Sequence, residues 1–99
     1  MFTWINNHGV RSDRGFIVRF TGRSTAEYRD GEKLVTLDIE NGISGGHPCI
    51  ILHPSAFTKW DDGEPIDKNK QRQLFEDFED ALAFQDLKMI VQGIESGGE

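Results

Sequence analysis

The chain is poor in cysteine, in proline and in long apolar runs, and it has no excess of positive charge. A single cysteine, Cys49, in 99 residues excludes an internal disulfide and suggests a reducing, cytoplasmic setting. The longest apolar run is Cys49-Ile50-Ile51-Leu52, far short of the roughly 20 residues of a spanning helix, so no membrane anchor is expected. Met1-Phe2-Thr3-Trp4 offers no basic stretch ahead of an apolar core, so no secretory signal is expected either. Eleven Lys and Arg stand against 17 Asp and Glu, a net charge of −6. That argues against nucleic acid as the partner, because such affinity comes mostly from cations laid along phosphates. No phosphate-binding loop, nucleophile elbow or dinucleotide fingerprint is present, so no cofactor is expected.

What the chain does contain is enough for a core. It is 36% hydrophobic and 10% aromatic, a composition that folds, and its length fits one domain, 1–99, with 94–99 reading as a loose tail. Residues 16–20 put Phe16, Val18 and Phe20 on one face at period two. Residues 25–29 alternate likewise, and Asp30-Gly31 is a hairpin signal. Residues 33–40 then place Val35, Leu37 and Ile39 together. The three glycines and the proline of 41–48 read as a loop. Cys49 to His53, held between Pro48 and Pro54, read as a short central strand. Residues 54–60 read as strand or turn, and Asp61-Asp62-Gly63-Glu64-Pro65 as an acidic loop. Asp67 is a good N-cap for a helix over 68–84, with Leu74, Phe75, Phe78, Ala81, Leu82 and Gln85 on one stripe. Residues 87–92 read as a final strand, and 2–5 could supply another. The expected fold is α+β: a mostly antiparallel sheet of about five strands, with one long C-terminal helix packed on a face and a short strand after it.

Catalytic chemistry finds little support. His47, Cys49 and His53 have the atom types for zinc or a thiolate–imidazole pair. On one strand, however, Cys49 and His53 stand roughly 13 Å apart, too far for a shared metal. No catalytic residue and no metal site is expected; a small enzyme built on these three is a less favoured alternative.

The charge distribution is more informative. Through Leu34 there are six basic and four acidic residues; from Val35 onward there are five basic and 13 acidic. Two clusters hold much of this excess, Asp61, Asp62 and Glu64 in the loop and Glu76, Asp77, Glu79 and Asp80 on the helix. The helix carries Lys68, Lys70 and Arg72 first and its acids later, against the preference of the helix dipole. Glu76 and Asp80 repel at i, i+4, and the pair Arg72–Glu76 offsets part of that cost. Such a helix reads as an acidic face kept for a basic partner. Trp60, beside the loop cluster, reads either as an interface anchor or as a lid on the core. The candidate partner-binding residues are therefore Trp60, Asp61, Asp62, Glu64, Glu76, Asp77, Glu79 and Asp80. A rival surface alternates Arg14, Arg19, Arg23 and Arg29 with Phe16 and Phe20, which could stack bases and hold phosphates.

The run Ile51-Leu52-His53-Pro54-Ser55-Ala56-Phe57-Thr58-Lys59-Trp60, then Asp61-Asp62-Gly63-Glu64-Pro65-Ile66-Asp67, then the helix and a last strand, resembles the small immunity proteins of bacterial polymorphic-toxin systems, including contact-dependent growth inhibition. The early Arg-Gly-Phe-Ile-Val-Arg-Phe strand and the hairpin from Tyr28 to Lys33 are compatible with that pattern, so the resemblance runs from about Arg14 to Val91. It rests on pattern and order, without a catalytic signature. It implies a cytoplasmic protein that binds and neutralises one cognate toxin C-terminal domain, commonly a nuclease. It transfers no individual residue, because interfaces in such families vary with the toxin. The acidic clusters fit a basic nuclease surface by opposite charge. The bland alternative is a scaffold subunit with no toxin.

Overall fold

The computed structural model describes residues 2–6 and 8–91. The expected tail, 94–99, and the end of the expected last strand lie outside the described residues. Strands β1 (Phe2–Asn6), β2 (Gly9–Ser12), β3 (Phe16–Phe20), β4 (Thr25–Asp30), β5 (Lys33–Ser44) and β6 (His47–Leu52) precede helix α1 (Lys68–Phe84) and strand β7 (Lys88–Val91). The fold is α+β, with one seven-stranded sheet in the order β1-β2-β3-β4-β5-β6-β7. All neighbours are antiparallel except β6 and β7, which run parallel because α1 carries the chain back across the sheet.

The strand count exceeds the expected five for two reasons. Residues 2–5 do form a strand, and Gly9–Ser12 pairs between it and β3 although it is too short to show a period of its own. The second correction concerns the stretch 41–48. It is no loop: β5 runs on to Ser44, and Ser44 pairs with His47 across a two-residue turn at Gly45-Gly46. Those glycines take φ of 61° and 80°, the backbone such a hairpin turn requires. Pro48 is therefore inside β6, paired with Ile43.

The sheet curls because its longest strand is shared end to end. β4 pairs with Lys33 to Asp38 of β5, and β6 pairs with Ile39 to Ser44. The inner face carries the row Val10, Val18, Tyr28 and Val35 across four strands, every member buried. Helix α1 lies on this face, burying Leu74, Phe78, Ala81 and Leu82. Its N-cap forms as the sequence predicts, Asp67 Oδ1 accepting from the Lys70 amide at 2.8 Å. The long connection from β6 to α1 plugs the remaining opening with Phe57, Trp60 and Ile66. Phe57 is fully buried, edge-on to Tyr28, Phe75 and Phe78. No helix among the described residues is long and apolar enough to cross a membrane.

Candidate functional site

The loop cluster is assembled by the free edge of β5. β6 ends at Leu52, opposite Ile39, so the polar groups of Leu34 and Thr36 on that side lack a strand. The loop supplies what the ladder would have. The Asp61 amide donates to the Leu34 carbonyl at 2.8 Å. The Asp61 carboxylate accepts from the Thr36 amide at 2.9 Å and from its hydroxyl at 2.6 Å. Lys33 then holds Asp62 at 2.9 Å and also pairs with Glu64. Asp62 accepts the Glu64 amide at 2.9 Å; that bond, with Lys33, holds its carboxyl below the usual range. Glu64 and Asp62 in turn hold Lys33 protonated above its ordinary range. One lysine thus answers two of the three carboxylates, and the third is engaged by Thr36. Trp60 is 8% exposed and belongs to the core, so it offers no anchor to a partner.

The helix cluster divides into three settings. Asp77 is 4% exposed; its carboxylate accepts from Arg14 at 2.7 Å and from the Tyr28 hydroxyl at 3.1 Å. It is an internal strut rather than a surface acid, contrary to the expectation drawn from its neighbours in sequence. Glu76 and Glu79 are exposed and line a shallow groove between α1 and β7, floored by Phe75, Met89 and Val91. Asp80 is exposed on another flank, where its charge helps hold Arg14 protonated. The expected Arg72–Glu76 pair is not formed: among the described residues Glu76, Glu79 and Asp80 have no ion-pair partner. Among the described residues no ion pair joins this cluster to the loop cluster.

Sequence reasoning missed two further acids. Asp38 and Glu40 line an open groove of about 660 Å³ where β5 passes from one neighbour to the other, with Thr36, His53 and Ser55 beside them. Neither carboxylate has an ion-pair partner among the described residues. The signal was present: residues 36, 38 and 40 alternate with the buried Val35, Leu37 and Ile39, so they share the outer face.

The residues of the enzyme reading sit in separate surroundings. Cys49 is free and buried. His47 Nε2 meets the Asp86 carbonyl at 3.1 Å, and His53 Nδ1 meets Ser55 Oγ at 2.7 Å. Among the described residues no group of three or more His, Cys, Asp or Glu side chains could hold a metal ion. The rival stacking surface is not formed as drawn either. Phe16 is buried, and Phe20 packs against the core, whereas Arg19 and Arg29 occupy alternate, exposed positions. Arg19 is engaged by Glu27 at 2.9 Å.

No family model, no curated protein and no solved structure matches this chain.

Proposed function

We propose that this protein is an immunity protein that binds a basic bacterial toxin domain in the cytoplasm and neutralises it by electrostatic and steric occlusion. The observation that carries this reading is a set of exposed carboxylates that form no ion pair among the described residues, Asp38 and Glu40 in the β5 groove and Glu76, Glu79 and Asp80 on α1. Each remains available to an incoming Lys or Arg, whereas Asp61, Asp62 and Glu64 already have partners within the chain. A nuclease must present a basic surface to its polyanionic substrate. An acidic protein can cover that surface, and the approach is steered by opposite charge.

The test is co-expression with the toxic C-terminal domain encoded immediately upstream in the source genome, reading growth and co-purification. The expected result is rescued growth and a 1:1 complex whose association slows as salt rises. Growth arrest with no complex overturns the reading for that partner.

A further inference from the structure

We propose that the cleft between β1 and the β5–β6 hairpin is a binding site for an apolar monocarboxylate, a medium-chain fatty acid or its chemical equivalent. The proposal does not depend on the immunity reading. The curled sheet leaves this opening, of about 400 Å³, over the C-terminal end of α1. That volume lies within the roughly 300–1,000 Å³ of ligand pockets. Phe20, Ile39, Ile50 and Leu87 give it an apolar lining with Trp4 at its mouth, and His8, Asn41 and Gln85 complete the wall. Trp4 is 50% exposed and packs against Phe84 at 5.8 Å between ring centroids, so one side of the indole is covered and the other is open to an occupant.

The rim sets the charge of the occupant. Arg23 lines the cleft, and among the described residues its guanidinium has no carboxylate partner. In a chain of net charge −6, no Asp or Glu among the described residues lines this opening. The backbone beneath Arg23 is also held. Asn41 Nδ2 donates to the Arg23 carbonyl at 2.7 Å, the Ile39 amide to the Ser24 carbonyl at 2.9 Å, and the Thr21 amide to the Thr25 carbonyl at 3.1 Å. An apolar chain covering the interior, with its carboxylate on Arg23, satisfies both halves of the site. A cationic amphiphile of the same length satisfies only the first.

The experiment titrates the full chain with decanoate and with decylammonium, each below its micellar concentration, by calorimetry and by tryptophan fluorescence. The chain has two tryptophans; Trp60 is buried, so a change at the cleft is read through Trp4. The expected result is saturable 1:1 binding of decanoate, with decylammonium at least tenfold weaker. R23Q, on an exposed bend, brings the two within about twofold, and W4F abolishes the fluorescence change. Equal affinity of the wild type for the two amphiphiles, an undiminished preference in R23Q, or no saturable binding of decanoate overturns the proposal. The wild-type comparison decides the matter even if a variant fails to fold.

Discussion

The Tyr28 hydroxyl donates to one oxygen of the Asp77 carboxylate at 3.1 Å while Arg14 holds the other at 2.7 Å. The arrangement joins β4, the β2–β3 turn and the middle of α1 at one point inside the molecule. A buried carboxylate is costly unless its oxygens are satisfied, and here both are. Asp77→Ala is expected to destabilise the fold by about 1.5–3 kcal/mol, the range for a hydrogen-bonded charged group. Tyr28→Phe is expected to cost about 1–1.5 kcal/mol. Because they share one bond, the two changes should couple by about 1 kcal/mol in a double-mutant cycle read by urea denaturation. Strict additivity would show that the bond contributes nothing beyond packing.

The same bond predicts an alkaline limit to stability. Burial, and then the negative charge of Asp77, push the Tyr28 phenol above its ordinary value of 10.0. The unfolded chain therefore loses this proton first. Stability is intact below about pH 10 and falls above it, by up to about 1.4 kcal/mol per pH unit. Lys33, also raised, adds a loss of the same sign in the same window, so the tyrosine's part is isolated by comparison with Tyr28→Phe, in which the slope above pH 10 should shrink. This chain has one tyrosine, so tyrosinate absorbance should appear only as the fold is lost. An ordinary titration near pH 10 in the folded protein would contradict the assignment.

At the C-terminal end of α1, Asp86 occupies a position that favours glycine. Its φ is +64°, its amide donates to the Ala83 carbonyl at 3.0 Å, and the Leu87 amide donates to the Leu82 carbonyl at 2.9 Å, the two bonds of a Schellman cap. Asp86→Gly relieves the left-handed strain and keeps the backbone carbonyl that meets His47. The expected change is a gain of about 0.5–1 kcal/mol, measured by thermal or urea unfolding. A loss would mean that the Asp86 carboxylate, 3.6 Å from His47, outweighs the backbone term.

If the immunity reading holds, the two acidic clusters should differ in effect. Replacing Glu76 and Glu79 with Gln and Asp80 with Asn removes carboxylates that form no ion pair among the described residues. Association with the toxin domain should slow by about tenfold or more at low salt and become less salt-dependent. The equivalent triple change at Asp61, Asp62 and Glu64 should slow association less, yet lower stability by freeing the loop from Lys33 and Thr36. Stopped-flow association at two ionic strengths checks both, and equal rates in the helix variant would remove α1 from the interface.

The helix was legible in the sequence because its cap, its stripe and its length all agree. The hairpin at Asp30-Gly31 was legible for the same reason, since turn chemistry and alternation coincide. Where two signals conflicted, the reading failed. The stretch from Gly42 to Pro48 reads as loop, yet the backbone pairing of Gly42 with Cys49 and Ile43 with Pro48 carries strands through it and leaves only Gly45-Gly46 as a turn. Asp77 shows a limit of another kind. Its burial is set by Arg14 and Tyr28, 63 and 49 residues away in the chain, and no local pattern encodes that meeting. The acids of β5 were missed although period two exposes them, because attention to runs of charge passes over charges that alternate.

The sharing of β5 between two hairpins has a kinetic consequence. Each of the first five strands pairs with its immediate successor, so five ladders close over short loops at little entropic cost. The pairing of Cys49 with Lys88 must bring together residues separated by the plug loop and all of α1. Local contacts form fast and distant ones slowly. The meander is therefore expected to assemble while its inner face is still open to water, with the docking of α1 and β7 as the later step.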